Sequence, residues 1–305
     1  MPMNDIWQTI ELSLGDLKLV VLPGIGGRLW DVVYSGRSLL FQNPDLAEQI
    51  PKLKRLTDLP TKSPQFKFPL WGGEKTWIAP DSAWVNGAPF PVLDSAPYRI
   101  TARDGRQVTM QSEVCPLTGL EIERRITLNS STNWNLQHEV RNCGTAERLT
   151  GIWSVLMLNH PTRIGLEIGQ NADIRSVFGN ADGFSKKRAP FAIFNCNEAK
   201  EFKVGMNNSA GRVFMALAHT ENPAWIVCTT PAPAKGDRFA HGHEFEVFNS
   251  GDYFYCEAEW HAPAKDLKPG ESTGFMQNFK IWSGSDGRPG EDFTPAEQEL
   301  LRCMS

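Results

Sequence analysis

Short runs of β-branched and aromatic residues, each closed by Gly, Asn, Asp, Ser or Pro, recur from one end of this chain to the other: LKLVVLPG, RLWDVVYSG, LEIERRITLNSS, WNLQHEVRNCG, AWIVCTTP, FEVFNSGD, YFYCEAEWHAP and TGFMQNFKIWSG. In one of them Leu120, Ile122, Arg124, Ile126 and Leu128 alternate with Glu121, Glu123, Arg125 and Thr127, the period of a half-buried strand. Helical periodicity is scarce. The pattern predicts an all-β chain, a large antiparallel sandwich rather than βαβ units. FTPAEQELLRCM is the exception: Thr294 as N-cap, Pro295 in the first helical position and Glu297 closing a capping box predict a short C-terminal helix. PDLAEQIPKLKRL has room for a turn or two, interrupted at Pro51. With no repeat and no low-complexity linker, residues 1–305 are expected to form a single domain. KLKRLTDLPTKSPQFKFP reads as a long loop, either a binding loop or a poorly ordered excursion.

Composition narrows the partners. A formal charge of −4, with the 31 Lys and Arg scattered, leaves no basic footprint, so nucleic acid is not an expected partner. The first residues lack the basic leader and apolar core of a signal peptide, and no run approaches the roughly 18 apolar residues of a membrane span. A soluble, cytoplasmic protein with no membrane partner is expected. The six cysteines form no CxxC pair and are expected to be reduced thiols.

Five stretches carry residues suited to chemistry. FPLWGGEKTWIAP places Gly72 and Gly73 between Trp71 and the pair Glu74 and Lys75, with Trp77 just beyond. Paired glycines belong where backbone turns sharply or passes close to something, here either the core or a ligand stacked on Trp71 or Trp77. In LPGIGGRLW, Gly26, Gly27 and Arg28 resemble a phosphate loop only superficially, because no helix pattern follows; the stretch reads as a hairpin bend, with Arg28 free either to hold a ligand or to form a structural ion pair. In YFYCEAEWHAP, Glu257 and Glu259 share one strand face, and Cys256, Ala258 and Trp260 take the other. A carboxylate buried on such a face is a proton acceptor suited to neutral pH, and the competing reading is an acidic pair on a solvated sheet. In KGDRFAHGHEFEVFNSG, His241 and His243 share a face as a His-x-His pair, and with Gly236, Glu246 and Gly251 they resemble the first cupin motif, with two gaps one residue short and no second motif downstream. His160, in WSVLMLNHP, falls at a strand end, a position compatible with a pocket or with plain surface.

Taken in order, VVLPGIGGRLWDVVYSGRSLLF, PLWGGEKTW and CEAEWHAPAKDLKPGES resemble the first hairpin, the Leu-His-Gly-Gly segment and the near-terminal Glu strand of the galactose mutarotase-like family, the aldose 1-epimerases and their relatives, in particular an uncharacterised bacterial branch. The resemblance implies a large antiparallel β-supersandwich with a sugar-sized cleft on a concave sheet, a monosaccharide or sugar derivative as ligand, and no cofactor or metal. In active members of that family a carboxylate takes the anomeric hydroxyl proton while an imidazole protonates the ring oxygen; Glu257 matches the base and Glu259 a companion polar residue. The chain departs from the family where the imidazoles should be, with Trp71 in the first position and a register near Trp153 in the second. An indole N–H does not exchange a proton with a ring oxygen. The resulting expectation is an isomerase of the mutarotase type with Glu257 and His160 as its catalytic pair, His241 or His243 as other replacement acids, Trp71 as sugar platform, and Lys75, Glu74, Arg28, Glu259, His241 and His243 around the ligand. A non-catalytic sugar-binding protein and a metal-dependent isomerase or lyase built on His241 and His243 stand as alternatives.

Overall fold

The computed structural model describes residues 6–63, 65–170, 172–208, 210–217, 223–284 and 293–304; the first five residues of the N-terminal stretch and Pro64 of the long loop lie outside them. Nearly every segment with period-two patterning is a strand, and the strands assemble into two large antiparallel sheets. The first runs Ile10–Leu14, Leu17–Leu22, Arg28–Tyr34, Glu74–Ala79, Arg148–Asn159, Tyr255–His261, Phe245–Asn249, Phe202–Met206 and Arg175–Gly179. The second runs Ser185–Arg188, Phe191–Cys196, Thr162–Glu167, Arg212–Leu217, Ala224–Thr229, Ser272–Ser283, Asn133–Asn142, Leu120–Leu128, Gln107–Gln111 and Arg99–Arg103. This is the two-sheet antiparallel sandwich that the strand patterning predicts.

Strand alternation explains the layering. Leu120–Leu128 buries its even-numbered residues against the facing sheet, and its odd-numbered residues stay half-buried. In the first sheet Ile78, Ile152, Leu156, Leu158, Cys256, Ala258 and Trp260 enter the core between the sheets, so their neighbours in sequence must face outward across the opposite surface. The helix Pro295–Met304 carries its capping box as the sequence predicts: Glu297 N–H donates to Thr294 Oγ1 at 3.2 Å and Thr294 N–H to Glu297 Oε2 at 2.8 Å. Its buried Leu300, Leu301 and Met304 pack against the outer face of the second sheet with Phe214, Trp225 and Trp282.

Polar side chains also cross the interior between the sheets. Arg124 pairs with Glu74 and also donates to the Gly27 carbonyl at 2.7 Å, while Ser154 Oγ donates to the other Glu74 oxygen at 3.0 Å. Beside them His138 meets Thr76 Oγ1 at 2.8 Å and Gln277 Oε1 at 2.9 Å. Burial lowers the His138 pKa from 6.5 to about 4, against the opposing pull of Glu74. The unfolded chain therefore takes up a proton at this residue before the folded one does. The stabilisation is complete above about pH 6.5 and falls away as the pH drops towards 4, by roughly 3 kcal/mol in all. Thermal melts across that range are expected to show a loss of stability that is shallower in His138→Asn, and equal slopes in the two proteins would contradict this origin.

Candidate functional site

The outward face of the first sheet is built in rungs. Register places Trp77, Trp153 and His261 side by side on three adjacent strands. The next rung carries Lys75, Val155, Glu259, Glu246, Gly205 and Arg175, and the one after it Met157, Glu257, Phe248, Lys203 and Phe178. Over these rungs lies a cleft of about 160 Å³ with Glu257 and Lys203 in its floor and Phe68, Trp77, Trp84, Trp153 and Phe248 in its walls. The long loop contributes Phe66 and Phe68, and the Lys62 N–H donates to Tyr253 Oη at 2.7 Å, tying that loop to the sheet.

The cleft combines aromatic faces with buried charge. Trp84 stacks on Trp153 at 5.6 Å between centroids, and Trp77 meets Trp153 edge-on at 4.9 Å. Glu257 is only 6% exposed and its Oε1 lies 3.1 Å from Lys75 Nζ, which also sits over the Trp77 ring at 4.2 Å. Burial lowers the Lys75 pKa, and the Glu257 charge opposes that shift. Lys203 Nζ lies 2.9 Å from Glu259 Oε2 and 2.8 Å from Glu246 Oε2, over the Trp153 ring. Burial, with the charges of Glu246 and Glu257, pushes Glu259 well above the usual carboxylate range despite Lys203. Burial also acts against the charge of Glu246, but Lys203 and three imidazoles outweigh it and hold this carboxyl far below its ordinary value. One ammonium thus faces two carboxylates of unequal acidity. Tyr255 Oη, in the wall beside Glu257, is buried without a hydrogen-bond partner among the described residues.

The positions expected from sequence divide sharply. Glu257, Glu259 and Lys75 come together on the outward face as expected. Trp71 does not: it is fully buried on Leu22, Ile25 and Leu46, with its indole N–H donating to Ser95 Oγ at 2.9 Å. Trp77 takes the role in the wall instead. The cause lies in Gly72 and Gly73, whose φ values of 113° and 71° break the strand alternation between the two tryptophans. A Cβ at Gly73 would lie 2.5 Å from the Leu29 carbonyl oxygen, so the glycine pair serves close backbone passage, not ligand approach. Glu74 is likewise excluded from the cleft, because it neighbours Lys75 on the strand and so faces the core and Arg124. Arg28 is fully buried and bound to Asp94 at 2.7 Å, the structural ion pair rather than a ligand contact. Asp94 Oδ1 also accepts from the Trp77 indole at 2.7 Å, so Arg28 acts on the cleft only by fixing Asp94 and, through it, the Trp77 ring.

His160 is no partner for Glu257. It sits at the end of its strand with Nε2 2.9 Å from Asn249 Oδ1, burial lowers its pKa, and it lines no part of the cleft. His241 and His243 lie elsewhere again, grouped with Glu246 and His261 beyond the Trp153 end of the cleft. His261, Lys203, Trp153, Trp84 and Tyr255 were not singled out as site residues from the sequence. His261 and Tyr255 were within reach, since parity from Glu257 along one strand puts both on its face. Lys203 carries no such signal, because only the pairing Lys203↔Phe248 brings it in.

Neither a protein-family model nor a curated protein sequence matches the chain. Solved structures do. The Slr1438 protein of Synechocystis sp. PCC 6803 aligns over 90% of this chain and 95% of its own, with a TM-score of 0.58 and 11% identity. A galactose mutarotase-like protein of Lactobacillus casei aligns over 90% and 100%, at TM-score 0.56 and 8% identity. The GalM/aldose epimerase homologue from C. elegans covers 90% and 99%, at 0.53 and 10%. At such identities the likeness is one of fold, and the chain carries the mutarotase-like β-sandwich. No helix among the described residues is long and apolar enough to cross a membrane.

Proposed function

We propose that the cleft takes a monosaccharide or a sugar derivative, and that Glu257 and Lys75 move the protons of anomer exchange there. The observation that carries this reading is a carboxylate, Glu257, in the floor of an aromatic-walled cleft, held 3.1 Å from the buried Lys75 ammonium. The C–H face of a pyranose stacks on indole at small entropy cost, and Trp77 and Trp153 offer that surface. Glu257 takes the proton from the anomeric hydroxyl as the ring C–O bond breaks, and Lys75 protonates the leaving ring oxygen. The product is the open-chain aldehyde with both protons accounted for. Rotation about the C1–C2 bond and reversal of the two transfers close the ring on the other face. A lysine whose pKa is lowered by burial is a better proton donor than an exposed one, and so fills the part played by imidazole in the family.

Proton NMR of freshly dissolved α-anomers, run over a panel of common aldoses and uronates, tests the reading. Catalytic quantities of protein are expected to hasten equilibration of at least one sugar, and no acceleration across the panel would refute the exchange chemistry. The lack of any imidazole in the cleft lining favours a second reading, a sugar-binding protein without turnover. Saturable calorimetric binding of a sugar whose anomers equilibrate at the uncatalysed rate would select it.

A further inference from the structure

We infer that His241, His243, Glu246 and His261 form a binding site for one divalent first-row transition ion at the end of the cleft. One ligand atom from each of the four residues lies within 4.8 Å of all the others. Glu246 stands at the centre: its Oε1 is 3.4 Å from His241 Nδ1 and in contact with His243 Nε2, and its Oε2 is 3.2 Å from His261 Nε2. Tetrahedral ligands about 2.0 Å from zinc are about 3.3 Å apart; the Glu246 contacts to His241 and His261 stand near that spacing, and the group as a whole, spread within 4.8 Å, would draw in around the ion.

Hydrogen bonding to Glu246 accounts for His243 and leaves the gathering of the other two imidazoles unexplained. The Glu246 carboxylate already has an ammonium partner in Lys203 at 2.8 Å, and so has no need of three further imidazoles. His261 Nδ1 is buried without a hydrogen-bond partner among the described residues, and Nε2 meets only Glu246 Oε2, at 3.2 Å and outside good hydrogen-bond geometry, a demand that an ion would satisfy at Nε2. Two features outside the group hold its rings in place. His243 lies over Gly205, where a Cβ would come within 2.3 Å of its ring, so the sheet leaves a bare spot under this imidazole. The outer nitrogen of His241, Nε2, faces Asp81: it accepts from the Asp81 backbone N–H at 3.3 Å and lies 3.5 Å from Oδ1. With a metal on Nδ1 the proton would move to Nε2, which would give up the Asp81 N–H and donate instead to the Asp81 carboxylate, the usual outer partner of a ligating histidine.

Three imidazoles and one carboxylate suit zinc, cobalt, nickel or ferrous iron, and are a poor match for magnesium or calcium, which take oxygen ligands. The ion would lie behind Trp153, whose ring packs against both His241 and His261, and next to Asp81 and Lys203 of the cleft lining. A polar ligand extending past Trp153 would approach it from that side.

The probe is CoCl2 titrated into chelator-treated protein, followed by calorimetry and visible absorption. One equivalent is expected to bind with the intense bands of a four- or five-coordinate ion, to be displaced by ZnCl2, and to resist MgCl2. Affinity is expected to fall at least 100-fold in His243→Asn and in His261→Asn, while Glu257→Gln binds as the wild type does, which separates this site from the sugar reading. Melting of the metal-free variants shows whether they are folded, and the wild-type cobalt spectrum does not depend on them. The weak bands of an octahedral aqua ion, the absence of a stoichiometric equivalent, or full affinity in both folded histidine variants would each overturn the assignment.

Discussion

Glu257→Gln is expected to slow anomer exchange by roughly 10²–10⁴-fold, the ordinary contribution of a positioned general base. The amide keeps the shape of the side chain and removes the proton acceptor. Lys75→Met is expected to cost a similar factor, because the ring oxygen then leaves without a proton donor. The two groups touch at 3.1 Å and act on one step, so the double variant should be little worse than either single one. Multiplying losses would instead mean that the residues act independently. Sugar affinity, measured by calorimetry on Glu257→Gln, should fall far less than the rate, since the aromatic walls are unchanged. A variant that loses affinity and rate together would place Glu257 among the binding groups and not the proton-transfer groups.

The second large effect is on stability. Glu74→Leu leaves the Arg124 guanidinium uncompensated between the sheets, where both side chains are almost fully buried. Removing one member of such a pair typically costs about 3–5 kcal/mol. The double variant Glu74→Leu/Arg124→Leu should recover much of that loss, because an apolar pair of similar volume needs no hydration. Chemical denaturation of the three variants measures this directly. A double variant as unstable as Glu74→Leu would show that the hydrogen bonds from Arg124 to backbone and from Ser154 to Glu74, rather than the lone charge, dominate.

How far the fold was legible follows from how local its signals are. Leu120–Leu128 and Tyr255–His261 keep unbroken alternation, so their faces could be assigned by counting residues, and the pairing of Glu257 with Glu259 on the outward face came directly from that count. Counting fails across Gly72 and Gly73, where positive φ reverses the parity; carrying the reading through them put Trp71 in the cleft and undervalued Trp77. It was also misapplied at Glu74 and Lys75, which as neighbours on a strand could not both face a ligand. The partner of Glu257 was sought among histidines because the family uses imidazole, and His160 was the one at a strand end. Lys75 reaches Glu257 only because the Arg148–Asn159 strand lies between theirs with Val155 and Met157 at the crossing, a relation set by register. The histidine group shows the same limit: His241, His243 and Glu246 were visible together in one stretch, but His261 joins them only when the strands Phe245–Asn249 and Tyr255–His261 are paired.

The most direct test is a crystal structure of the protein with a 1,5-anhydro sugar, which keeps the pyranose ring but lacks the anomeric hydroxyl and cannot react. The ring is expected against Trp77 and Trp153 with its oxygen turned to Lys75 Nζ and C1 above Glu257. A sugar bound elsewhere on the molecule, or stacked in the cleft with C1 turned away from both groups, would contradict the assignment.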